Sequence, residues 1–193
     1  PSLLRRELGI PDGAFTLLVL FGGIGSAEVE PLCAVLLKES PEWHVVAICG
    51  KNPALEERLR ALAQGSSGRL HPVGFTDRMP EFMASADLLL TKPGPGTIAE
   101  ALHVGLPSVV ACGVHTVPQE RYNARFLAAE GLGLVTSDWR GFPAAVKALL
   151  RDGGKALAET KEALAQLPPN RAVFEVLEIL SRESPASAGG QLF

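Results

Sequence analysis

FTLLVLFGGIGS, residues 15–26, is the stretch that decides the fold. Its first seven residues hold one polar side chain, Thr16, and the run stops at a glycine pair. A strand with one wet face alternates polar and apolar residues, whereas an unbroken apolar run needs cover on both faces. DLLLT, residues 87–91, has the same character. Outward from these two, apolar runs at 15–21, 43–49, 69–73, 87–91, 107–111 and 133–135 predict strands. Stretches with helical spacing at 28–40, 53–64, 79–84, 97–104 and 119–130 separate them, and 142–151, 155–166 and 171–182 follow as further helices. Strands joined through helices imply right-handed crossovers. The expected fold class is therefore α/β: a Rossmann-like parallel sheet of about six strands with helices on both faces, one domain over residues 1–182. Residues 183–193, rich in Ser, Ala and Gly, read as a disordered tail. No internal repeat is visible.

Composition narrows the function. A chain of 193 residues that is 47% hydrophobic can bury a core, which excludes disorder as its general state. A net charge of −3 without a basic cluster argues against a nucleic-acid partner, whose phosphates need grouped Lys and Arg. Cys33, Cys49 and Cys112 lie too far apart for a CxxC zinc or redox motif, and an odd number suits a reducing compartment. All three read as small core residues. His44, His71, His103 and His115 form no HxxxH or HExxH pair, so no metal site is expected. No apolar run approaches the roughly 20 residues of a membrane span, and no signal peptide is visible. The chain opens on Pro1 rather than Met and is expected to be a piece of a longer one.

Parallel sheets take ligands outside the carboxyl ends of their strands. Three turns there carry chemistry. Gly22-Gly23-Ile24-Gly25-Ser26 would let the backbone approach a phosphate closely, with a helix start behind it to attract anions. It is neither GxGxxG nor a Walker loop. A tight turn that uses glycine for its own geometry is the competing reading. Cys49-Gly50-Lys51-Asn52, after the second strand, holds no acid for an adenosine ribose, which argues against an NAD enzyme.

The second turn, TKPGPGTIAE at 91–100, delivers a helix start whose free N–H groups near residues 96–98 would face a diphosphate. One turn on, Glu100 could accept from both hydroxyls of a ribose. The spacing Thr97-x-x-Glu100 fits a capping box equally well, and spacing does not choose between them. The third turn brings Gln119, Glu120 and Asn123 to a helix start, where they suit sugar hydroxyls, although polar residues are common at such positions. His115 reads as a loop histidine.

Together, TKPGPGTIAEAL (91–102), GLP (105–107) and PQERYNA (118–124) resemble the donor domain of the GT-B glycosyltransferases. The likeness is to the group of monogalactosyldiacylglycerol synthase and processive diacylglycerol glucosyltransferase, related to the N-acetylglucosaminyltransferase of peptidoglycan lipid II. FGGIGS, CGKN and GFTDRM fall where that family has equivalents, so the resemblance runs from about Pro1 to Leu150. The GPGTxxE segment is its most specific piece.

The resemblance implies an inverting, metal-free transferase that moves a hexose from a UDP-sugar to a lipid acceptor. The UDP-sugar would be a substrate, with no cofactor. The backbone at Phe75 and Thr76 would recognise the uracil edge. Gly23, Gly25 and Ser26 would lie against the diphosphate with Gly96 and Thr97. Glu100 would hold the ribose, Gln119 and Glu120 the donor sugar, and Asn123 would brace their loop. This sequence agrees in lacking a DxD metal motif. It departs in lacking the acid that many lipid glycosyltransferases carry after the glycines of the first loop. In this family the acceptor site and catalytic base come mainly from an N-terminal domain, absent from this chain, so no catalytic residue is assigned. The full-length protein would be cytoplasmic and peripheral at the membrane face. Two alternatives stand beside this: a non-catalytic donor-binding subunit that needs a separate acceptor-domain protein, and half of a nucleotide-sugar epimerase.

Overall fold

The computed structural model describes residues 2–183. The elements run α1 (Ser2–Glu7), β1 (Thr16–Leu20), α2 (Val29–Glu39), β2 (His44–Ile48), α3 (Pro53–Gln64), β3 (Leu70–Val73) and α4 (Met79–Ser85). They continue with β4 (Leu88–Thr91), α5 (Pro95–Val104), β5 (Ser108–Ala111), α6 (Arg121–Ala129), β6 (Gly133–Thr136), α7 (Phe142–Ala165) and α8 (Ala172–Glu183). The six strands form one sheet in the order β3-β2-β1-β4-β5-β6. Every neighbouring pair is parallel. The predicted fold class is what the chain adopts.

Period-two alternation along β1 explains its unbroken apolar run. Leu17 and Val19 face a core shared with α2, α3 and α7, in which Leu32, Leu36, Leu55, Leu59 and Phe142 are fully buried. Leu18 and Leu20 face the opposite core, against Leu4 of α1, Phe82 and Met83 of α4 and Ala101 of α5. Burying one such side chain contributes about 1.5–3 kcal/mol, so neither face of this strand tolerates a polar residue cheaply. A third cluster, Ile98, Val110, Ala124, Leu127 and Leu132, fixes α6 on β5.

Three differences from the sequence reading matter, and one expectation is met. Helix α1 was not expected. Its Leu4 is deeply buried, and Arg5 ties it to the sheet by hydrogen bonds to Ala14 O and, at 2.6 Å, Thr16 Oγ1. Residues 119–130 do not form one helix: Pro118–Glu120 makes a 3-10 turn that leads into α6. The two helices expected at 142–151 and 155–166 are both present: α7 spans them, with non-helical backbone between them where Asp152, Gly153 and Gly154 adopt positive φ. Glu183 closes α8 rather than starting the tail, and the rest of that predicted tail, residues 184–193, lies outside the described residues. Among the described residues no helix is long and apolar enough to cross a membrane.

Candidate functional site

From β1 and β4 the strand order runs in opposite directions, β2-β3 one way and β5-β6 the other. The crevice outside the carboxyl ends of that pair is where sheets of this kind take ligands. Its two walls are the two glycine-bearing turns.

The turn after β1 divides its glycines between two tasks. Gly25 has φ +77°, and a Cβ there would stand 2.4 Å from the Cys49 carbonyl oxygen and 3.1 Å from Asn52 Cβ. Packing of this turn on the Cys49–Asn52 turn therefore demands glycine, and the Lys51 N–H bond to Gly23 O, 2.9 Å, holds the two together. Gly23 is different. It is exposed, and a Cβ built on it would meet nothing within 4 Å. Ser26, half-buried, donates from Oγ to Glu28 Oε2 at 3.2 Å. Burial pushes the neighbouring Cys49 thiol up to about 11 and raises Cys33 as well, so both stay protonated and inert, as expected of core residues. Cys112, just past β5, is half-buried: it packs against the cluster of Ile98, Val110 and Leu127 and also borders a groove.

The turn after β4 settles the capping question. Helix α5 starts at Pro95, with Gly94 as N-cap and no side-chain cap, so Thr97 is its third residue and cannot cap it. The capping box is excluded. The expected start at residue 97 falls two residues late because Pro95, with its fixed φ, fits the first helical position. Ile98 N–H bonds to Gly94 O at 3.0 Å. Of the amides expected to be free, that leaves Gly96 and Thr97 without an intrahelical acceptor. A Cβ on Gly96 would also meet nothing within 4 Å. Glu100 is exposed, about 4.5 Å farther along the helix axis than Thr97. It borders a depression of about 260 Å³ with Pro80, Met83 and His103.

The remaining predicted residues continue this crest on either side. Beyond β3, Phe75 is 65% exposed and carries Lys51 Nζ 4.9 Å from its ring centroid. Thr76 Oγ1 accepts from Arg78 N–H at 3.0 Å. Beyond β5, Asn123 Nδ2 donates to Pro93 O at 2.8 Å, which joins α6 to the β4 turn. Arg121 holds the intervening loop through Thr116 O and Val114 O at 3.1 and 3.0 Å. Glu120 borders an open groove of about 1060 Å³ with Lys92, His115 and Trp139, while Gln119 is exposed and does not line it.

Sequence reasoning missed two residues, Lys92 and Glu28. Lys92 Nζ meets Glu28 Oε2 at 2.9 Å, which spans the crevice from one turn to the other. The signal was a lysine inside the turn itself, with an acid at the start of the helix after the other turn.

The family model for the glycosyltransferase family 28 C-terminal domain matches residues 17–172. The chain is 32% identical over 183 residues to a processive diacylglycerol beta-glucosyltransferase of Bacillus subtilis, covering 94% of this chain and 47% of that protein. It is 28% identical over 181 residues to monogalactosyldiacylglycerol synthase 1 of Arabidopsis thaliana, covering 90% of this chain and 33% of that one. The chain thus spans about half the length, or less, of these relatives. Among solved structures, MurG of Acinetobacter baumannii shares the fold with a TM-score of 0.71 at 21% identity, over 89% of this chain and 53% of that one. Anabaena Alr3699/HepE, solved in complex with UDP-glucose, does so with a TM-score of 0.65 at 20% identity, over 94% and 52%. The resemblance read from GPGTIAE and PQERYNA holds at the level of the family, and the chain belongs to the glycosyltransferase family 28 C-terminal domains.

Proposed function

We propose that this domain is the donor half of an inverting glycosyltransferase, which binds a UDP-sugar for transfer of its hexose to a lipid acceptor. One observation carries the reading. The two turns that the resemblance assigns to the diphosphate stand on opposite walls of the β1/β4 crevice, with open space over Gly23 and Gly96 and two free helix-start amides between them. The fold does not require glycine at either position, whereas a backbone that approaches a phosphate does.

The chemistry follows from this placement. When the bond from the sugar's anomeric carbon to the β-phosphate oxygen breaks, negative charge grows on the departing diphosphate. The Gly96 and Thr97 amides and the positive end of α5 would take up that charge without reorganising. Glu100, one turn on, would grip the ribose diol, and the Phe75–Thr76 backbone the uracil. Gln119 and Glu120 would read sugar hydroxyls, from a loop fastened by Asn123 to Pro93. The acceptor site and the base that deprotonates its attacking hydroxyl would come from a separate N-terminal domain, which agrees with the share of its relatives that this chain spans. Those relatives are named for glucosyl transfer to diacylglycerol and for synthesis of a galactosylated diacylglycerol, which supports a lipid acceptor.

Calorimetric titration with UDP tests the reading. Glu100→Gln keeps the fold, because Glu100 is exposed and caps nothing. It is expected to weaken UDP by ~1–3 kcal/mol, the usual effect of damaging a charge-assisted hydrogen bond. Unchanged affinity would remove Glu100 from the site.

A further inference from the structure

The glycine loop and the β4 turn are joined across their crevice by one ion pair, and its position has a consequence for ligand binding. Lys92 leaves β4 one residue after Thr91 and lies over the Phe21 ring, with Nζ 5.4 Å from the centroid. Its ammonium meets Glu28 Oε2 at 2.9 Å, and that oxygen also accepts from Ser26 Oγ. The side chains are 46% and 42% exposed, and both border the groove. The other lysine on this crest, Lys51, is turned away over Phe75.

A pair this exposed is weakly held, because water competes for both charges. A carboxylate on the wall of the crevice is also in an awkward place once a dianion arrives: it attracts the lysine but repels the ligand. We propose that Lys92 is the counter-cation of the bound diphosphate and that Glu28 is a resident stand-in, which holds the ammonium in the crevice until the phosphate oxygens displace it. Lys92 keeps its place in both states and changes only its anion. After the sugar departs, Glu28 reclaims Lys92 and helps to expel the nucleoside diphosphate.

This inference rests on the donor-site reading and sharpens it, and its test separates the two. UDP and uridine are titrated against the wild-type chain and against Lys92→Met, Lys92→Gln and Glu28→Gln, with uridine followed by ligand-observed NMR and folding checked by thermal unfolding. Both lysine variants should weaken UDP roughly ten- to hundredfold, the range of one charge-assisted contact, and leave uridine unchanged. Glu28→Gln should bind UDP about two- to tenfold more tightly, with uridine again unmoved. The proposal is overturned if Glu28→Gln weakens UDP, since Glu28 would then position Lys92 rather than compete for it. It is equally overturned if the lysine variants leave UDP unaffected or weaken uridine to the same extent. A wild-type chain that binds uridine and UDP with variants that behave alike leaves the donor site standing without this exchange. A wild-type chain that binds neither removes the donor site itself, and the exchange with it.

Discussion

At the amino ends of β1 and β4, Arg5 reaches Thr16 Oγ1 at 2.6 Å and Asp87 Oδ2 at 3.4 Å, while Asp87 accepts the Thr16 N–H at 2.8 Å. One strand farther out, His44 Nδ1 and His71 Nε2 lie 3.2 Å apart. Burial and its partner's charge hold His71 down near 4. His44 is lowered by burial and by Arg69 and Arg5. At the carboxyl ends of the same strands the arrangement reverses. Gly23 and Gly96 face open space, Phe75 stands out from the surface, and Lys92 and Glu28 form a half-exposed pair across a crevice. The lower edge pairs its charged and polar groups within the chain, with Arg5 Nε left as a buried exception, and the upper edge leaves amides and charges for a partner from outside. A polar cluster of the first kind holds the fold, and one of the second kind marks a site.

This contrast can be broken by substitution. The largest effect on stability is expected from Asp87→Ala. It strips the counter-charge from Arg5, whose side chain is 16% exposed, and the acceptor from the Thr16 N–H. The expected cost in urea unfolding is about 2–4 kcal/mol, with UDP affinity of the folded protein unchanged. A cost below about 0.5 kcal/mol, the scatter of an ordinary surface change, would mean that the lower edge is not the seam described.

A pair of glycine substitutions divides the upper edge more finely. Gly25→Ala should destabilise by about 2–3 kcal/mol, because its Cβ would sit 2.4 Å from the Cys49 carbonyl and its φ is +77°. Gly96→Ala should leave stability equal or raise it by up to ~1 kcal/mol, as alanine does in a helix, yet weaken UDP by about 1–2 kcal/mol. Unfolding and calorimetry on both proteins separate a glycine kept for packing from one kept for a ligand. Equal UDP affinity in Gly96→Ala would mean that the diphosphate does not lie over that residue.

Much of this was legible in the sequence, for identifiable reasons. The strands fall within a residue or two of expectation because each apolar run is bounded by glycine, proline or charge, and both cores demand the run be unbroken. The break in α7 was visible in Asp152-Gly153-Gly154. Helix α1 was not legible, because what holds it is the burial of Leu4 and the reach of Arg5 to Ala14, Thr16 and Asp87, contacts that leave no periodic trace. The glycines of the first turn could be counted but not sorted. Whether Gly25 or Gly23 serves packing depends on where Cys49 O lies, which only the folded chain defines. Lys92 and Glu28 escaped for the same reason, since two ordinary charges become a pair only when β1 and β4 are neighbours. The capping box looked as good as the ribose contact until the helix start at Pro95 removed it.

The most direct test of the contrast is a titration of the isotopically labelled chain with UDP, followed by amide NMR shifts. The account predicts that Gly23, Gly25, Ser26, Gly96 and Thr97 move together and saturate at one concentration, while Thr16, His44 and His71 stay fixed. Silent Gly96 and Thr97 amides, or shifts gathered at the amino ends of the strands, would contradict it.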